Sequence, residues 1–216
     1  MSESALFRLS SIGVVVGAVL IGLASLVPSD EDVKAAVAGG VYYPMSIAML
    51  VGGVLLIAGW PAVYLRQRAR SGVLGLVGML LVFGAGATLT IGFTFTQVMI
   101  FPWLASLPVT NAQLSQGPPA INVFFPVATL VVTVGGVLFA VATLRARVFP
   151  RWVPIAFIVL AVASFAANFA GPLEVVGEAL FMVGFVLYGI ALWLSVAARA
   201  VTSPDTTPAA RRAVTP

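Results

Sequence analysis

Two glutamates four residues apart, Glu174 and Glu178, stand at the start of the last apolar run of this chain. On a helix that spacing places both carboxylates on one face, where they could share a proton or a cation. The two are not equivalent. If Gly171–Pro172 opens the helix, Glu174 is its third residue, and a carboxylate there answers free backbone N–H groups, an ordinary structural role. Glu178 lies one turn deeper, about 6 Å along the axis. In lipid its charge costs up to about 3 kcal/mol unless it is partnered or protonated.

Other polar side chains fall into stripes within neighbouring apolar runs. Thr90, Thr94 and Gln97 follow i, i+4, i+7 spacing, one face of a helix. Asn122, Thr129 and Thr133 share a face in the next run, with Pro126 in the same stripe, and Ser164 and Asn168 follow at i, i+4. Two readings stand side by side. Such residues act as hydrogen-bonding glue between helices or satisfy themselves on their own helix carbonyls; alternatively, they line a polar cavity open to the outer side.

The chain has no cysteine and no histidine, which excludes disulfides, thiol nucleophiles, the usual zinc sites, His-ligated haem and His-based acid–base catalysis. No metal set, phosphate-binding loop or nucleotide fingerprint is present, so no metal and no cofactor is expected.

The elements that must position these residues are set by composition. Of 216 residues, 61% are hydrophobic and 8% charged, against roughly a quarter charged in a soluble domain. Six apolar runs approach or exceed the roughly 20 residues that cross a bilayer: about Leu9–Val27, Met45–Leu65, Val73–Phe101, Ile121–Leu144, Val153–Phe169 and Val175–Val196. The expectation is an all-α polytopic transmembrane bundle of six spans. One membrane domain would cover residues 1–200, with a disordered Pro/Thr/Ala-rich tail over 201–216. The first run also has the look of a signal peptide after Arg8. The nearest Ala-x-Ala, Ala36 to Ala38, is too far beyond it for ordinary cleavage, so retention is expected.

Charge assigns the sides. Arg8, then Arg66, Arg68 and Arg70, then Arg145, Arg147 and Arg151, then Arg199, Arg211 and Arg212 occupy alternate connections, ten of the eleven basic residues. The opposite side has Lys34 with Asp30, Glu31, Asp32 and Glu174. By the positive-inside rule both termini are cytoplasmic. The basic loops carrying Arg66, Arg68, Arg70, Arg145, Arg147 and Arg151 are explained by topogenesis and are also a surface for anionic lipid. Charges so placed call for a lipid bilayer as partner, and for no nucleic acid. Aromatic belts agree, with Tyr42, Tyr43, Trp103, Phe124 and Phe125 at the outer interface and Trp60, Tyr64, Trp152 and Trp193 at the inner one.

"YYPMSIAMLVGGVLLIAGWPAVYLRQR" and "FFPVATLVVTVGGVLFAVATLRAR" share an aromatic pair with proline, a GGVL and an LRxR. Either a duplicated hairpin or convergence on the same interface chemistry accounts for this. Between the first two runs, Ser29, Asp32 and the Gly39–Gly40 stop predict a short interfacial helix from about Asp30 to Ala38. The segment from Pro102 to Ala120, with four prolines, reads as irregular.

With its Ala/Gly/Val-rich spans and inner segments "LRARVFPRWVP" and "LRQRARSG", the chain resembles the small, uncharacterised six-helix integral membrane proteins of actinobacteria. Arginine-rich usage of this kind fits a high-GC bacterial genome, and hence a bacterial plasma membrane. The resemblance transfers no active site. Expected function is a non-enzymatic accessory or scaffold subunit, with a membrane protein partner or homo-oligomer, or a small-ligand-binding bundle. The alternatives are a small transporter or channel subunit using the outer polar cavity, and an intramembrane enzyme acting through Glu174 and Glu178.

Overall fold

A computed structural model describes residues 3–26, 33–108, 110, 112, 120–170 and 174–202. These are helical, with no strand among the described residues: α1 (Glu3–Ser25), α2 (Val33–Ala38), α3 (Tyr42–Gly86), a π-helix (Ala87–Phe93), α4 (Thr94–Ser106), α5 (Ile121–Ala146), α6 (Trp152–Ala167) and α7 (Glu174–Thr202). Four stretches are long and apolar enough to cross a membrane, namely Glu3–Ser25, the continuous run Tyr42–Ser106, Val123–Ala146 and Val176–Ala198. Trp152–Ala167 is apolar but shorter, at 16 residues.

The 45 residues of α3 are not one straight rod. Gly72 has φ 58° and ψ −160°, a conformation reserved for glycine because any Cβ would strain it. There the helix folds back on itself, so that Gly53 faces Thr90 and Gly86 faces Ile57 across an antiparallel pair. Arg66, Arg68 and Arg70 are therefore helical and not in a loop as the charge pattern suggested. Arginine, glutamine and alanine are good helix formers, and nothing before Gly72 stops them. Arg145 likewise belongs to the last turn of α5. Only Arg147, left-handed at φ 52°, and Arg151, which precedes α6, lie in a connection.

Taken in order, α1, the two arms of α3, α5, α6 and α7 form a closed ring in which each segment packs on the next and α7 returns to α1. Small residues set the seams. A Cβ at Gly17 would lie 2.5 Å from the carbonyl oxygen of Gly52, and one at Gly78 would lie 2.5 Å from the backbone nitrogen of Phe139. Backbones this close gain dispersion contacts that lipid cannot replace. The ring closes where Ser11 Oγ donates to the Gly189 carbonyl at 2.7 Å. Outward, the surface is apolar, with Leu9, Leu23, Val73, Val123, Val159 and Leu194 exposed. Lipid suits a surface of that kind.

The ring's interior has two halves. Toward the arginine-bearing end, Trp60 packs against Phe139, Phe185 and Tyr188 with ring centroids 5.0, 4.7 and 5.5 Å away, and Phe157 joins them 5.1 Å from Tyr188. Trp60 is thus core, only 1% exposed, and not the interface anchor its residue type suggested. It shares a face with Gly52 and Leu56, the face turned to the ring centre. Trp152 and Trp103, by contrast, are exposed. The other half of the interior is open, and holds the candidate site.

At that open end α2 packs on α4, and Lys34 Nζ donates to the Leu107 carbonyl at 3.1 Å. The short helix covers Val33–Ala38 and ends where Gly39 N–H caps Ala35; Ser29 to Asp32 lie outside the described residues. Helix continues through Pro102 to Ser106, further than the irregular segment foreseen there. Residues 109, 111, 113–119, 171–173 and the tail from 203 lie outside the described residues, as does the proposed Gly171–Pro172 helix start.

Candidate functional site

A cavity of about 620 Å³ fills the half of the ring opposite the arginines. Its floor is the aromatic cluster, contributed by Trp60, Phe181 and Phe185 with Val82 and Val132. Its walls come from every segment of the ring. The first arm of α3 contributes Met49, Leu56 and Ile57, and α1 contributes Ala24 and Ser25. The second arm contributes Leu89, Thr90, Phe93, Thr94 and Gln97. Facing them are Phe125 and Thr129 of α5, Ser164 and Asn168 of α6, and Glu178 and Met182 of α7.

The polar stripes read from the sequence converge here. Thr90, Thr94, Gln97, Thr129, Ser164, Asn168 and Glu178 all line the one cavity. Thr133 does not, although it lies one turn from Thr129, because a four-residue step on α5 turns it past the cavity edge. The side chains of Asn122 and Glu174 lie outside the described residues.

Local backbone chemistry explains how the second arm presents its hydroxyls. Thr88, Thr96 and Thr143 each donate to the carbonyl four residues back, at 2.9, 3.1 and 2.9 Å. That is how a threonine in a helix silences itself. Thr94 does not do so: its Oγ1 is buried and has no partner among the described residues, and the same holds for Gln97 Oε1. Thr90 sits in the π-helix Ala87–Phe93, where the i→i+5 pattern shifts the carbonyl register; such bulges concentrate at functional sites. Gln97 is further held by its backbone, whose carbonyl accepts from Tyr42 Oη at 2.8 Å. Asn168 Nδ2 donates to the Ser164 carbonyl at 2.8 Å, which leaves its Oδ1 available.

Two features escaped sequence reasoning. One is the floor, since Trp60 was placed by residue type and not by face. The i, i+4, i+8 series Gly52, Leu56, Trp60 was the signal that would have found it. The other is a second polar cluster beneath the floor. Gln67 Nε2 donates to Thr143 Oγ1 at 2.9 Å, and among the described residues the buried Gln67 Oε1 and Ser71 Oγ beside it have no partner. It ties α3 to α5 and does not reach the cavity wall.

The arginines sort into two groups. Arg66 is half-buried and structural: its guanidinium donates to Ser195 Oγ at 3.1 Å and to the Ser195 carbonyl at 2.6 Å, and lies over Phe7. Arg68, Arg70, Arg145, Arg147 and Arg151 are exposed at the same end, and Arg8 lies over Trp193 nearby. Among the described residues, no arginine or lysine lines the cavity. The chain matches no protein-family model, no curated protein and no solved structure.

Proposed function

We propose that this chain is a six-pass protein of a bacterial plasma membrane, with both termini cytoplasmic, that binds a small amphipathic molecule in a cavity reached from the outer side. The observation that carries the reading is the cavity itself. Its size falls within the roughly 300–1,000 Å³ usual for small-molecule sites. Its lining is the usual mixture, mainly aromatic and aliphatic with a few convergent polar groups. Among the described residues Thr94 Oγ1 and Gln97 Oε1 have no partner, which is expensive in a membrane interior unless a ligand or water satisfies them.

The six-pass count is supported by the hairpin at Gly72, which divides Tyr42–Ser106 into two arms, and by α6, whose 16 apolar residues would reach across with flanking aromatic anchors such as Trp152. The orientation is supported by the exposed arginines gathered at the end away from the cavity. The aromatic floor favours a binding pocket over a pore, because Trp60 and its neighbours close the ring below the cavity.

Mild extraction into lipid nanodiscs followed by native mass spectrometry tests this. A small-molecule adduct should accompany the wild-type chain and be lost from Thr129→Trp, which fills the cavity. A chain that never carries an adduct, and whose cavity-filled variant is indistinguishable from wild type in stability with added lipid extract, would remove the support for a binding role.

A further inference from the structure

We propose that the cavity selects organic cations with an apolar body, such as a quaternary ammonium, a phosphonium or a hydrophobic amine. The inference rests on the binding reading above and adds the charge of the ligand. Among the described residues, Glu178 is the only ionisable side chain that lines the cavity. It stands on the same face of α7 as Phe181 and Met182, one turn toward the mouth. Among the described residues it has no salt-bridge partner: the exposed arginines are at the opposite end, and Lys34 is turned to the Leu107 carbonyl. A carboxylate at membrane depth calls for a partner.

The rest of the lining supplies what a cation with a greasy body needs. Phe93, Phe125, Phe181 and Phe185 surround the space, and the faces of such rings attract cations, more strongly when water is excluded. Met49 and Met182 add polarisable surface that adapts to irregular shapes. Unpartnered acceptors at Gln97 Oε1 and Thr94 Oγ1 border the same space. An anion would meet Glu178 with no basic group to offset it. A neutral molecule would leave the carboxylate to take up a proton instead, and the experiment separates that case.

Tetraphenylphosphonium, tetraphenylborate and neutral triphenylphosphine oxide have similar bulk and differ in charge. They are titrated into the protein in nanodiscs of phosphatidylcholine, with empty discs as the background for partitioning. Trp103, Trp152 and Trp193 are exposed and are replaced by phenylalanine, so that emission reports Trp60 at the cavity floor. The phosphonium should bind saturably, at least about tenfold tighter than the neutral oxide, and the borate should not bind. Glu178→Gln should abolish that preference while leaving the oxide bound. Glu178→Asp should keep it, which guards against a Gln variant that fails to fold. Equal binding of phosphonium and oxide, or a preference that survives Glu178→Gln, overturns the cation reading and leaves the cavity reading standing. If none of the three changes Trp60 emission beyond the empty-disc background, the binding reading itself fails.

Discussion

Replacing Gly72 by alanine isolates the backbone term at the turn on which the whole ring depends. A Cβ there would meet nothing within 4 Å, so no clash contributes, and the cost is that of holding an L-residue at φ 58°, ψ −160°. Strain of that kind is worth about 1–3 kcal/mol, a factor of roughly 5 to 150 in the folded-to-unfolded ratio. Gly84, in the same helix, is the matched control. It too has open space around a built Cβ but has helical dihedrals, so alanine there should stabilise by roughly 0.5–1 kcal/mol through lower backbone entropy and better helix propensity. Gly78 supplies the opposite case: its φ is ordinary, but its Cβ would fall 2.5 Å from Phe139 N. The second arm of α3 and α5 would have to separate, an overpacking cost of about 1–3 kcal/mol. Reversible unfolding in mixed micelles, followed by circular dichroism with increasing SDS, measures all three. The expected order is Gly84→Ala above wild type, with Gly72→Ala and Gly78→Ala both below it. If Gly72→Ala matches wild type, the chain does not turn at Gly72 in the way described, and the division of Tyr42–Ser106 into two arms goes with it.

Arg66→Ala should cost about 1.5–3 kcal/mol in the same assay, because the guanidinium holds Ser195 of α7 through two hydrogen bonds; Arg68→Ala, at an exposed position, should stay within about 0.5 kcal/mol of wild type. Lysine cannot reproduce the fork, so Arg66→Lys should recover less than half of the loss. The native absence of cysteine makes the orientation directly testable. Single cysteines at the exposed Arg70 and Arg151 should resist a membrane-impermeant maleimide in intact cells, whereas one at Ala38 should label; the reverse pattern would invert the topology.

Much of the architecture could be read from the chain because long apolar runs simplify the code. Apolar length locates helices whatever they pack on: the expected runs Ile121–Leu144 and Val175–Val196 fall within α5 and α7, Leu9–Val27 and Val153–Phe169 were drawn two residues beyond the last residues of α1 and α6, Met45–Leu65 lies in the first arm of the much longer α3, and Val73–Phe101 continues from α3 through the π-helix into α4. The polar stripes could be read for the same reason. A polar side chain in an apolar helix has few places to go, so Thr90, Thr94 and Gln97 at one face, and Ser164 and Asn168 at another, already implied a shared direction. What could not be read were features in which residue type and position conflict. Tryptophan suits a membrane interface, yet Trp60 is in the core because Gly59 beside it lets Ser10 and Val14 of α1 approach. Arginines suit a connection, yet Arg66 to Arg70 remain helical because the only stop is Gly72. The π-helix has no signature in composition at all: its i→i+5 bonding unwinds the second arm locally, in the stretch where Thr90 meets Gly53.

The repeated motif shows how one packing device serves two purposes. In each GGVL the first glycine meets the segment before it in the ring and the second meets the segment after. Gly52 faces Gly17 of α1 and Gly53 faces Thr90 of its own hairpin; Gly135 faces Leu81 and Val82 of the preceding arm, and Gly136 faces Phe157 of the following helix. Both hairpins also turn at a positive-φ residue close to LRxR, Gly72 at 58° and Arg147 at 52°. In each pair the first glycine lets the preceding segment's backbone come close, and the second makes room for a side chain of the following segment, whose type is free to differ. In the first hairpin that residue is Thr90, whose hydroxyl-bearing side chain lines the cavity. In the second it is Phe157, whose ring packs 5.4 Å from Phe185 in the floor. Position is set by the glycines and chemistry by what faces them, so exchanging the two opposing residues should damage the cavity and its floor while leaving the ring's connectivity unchanged.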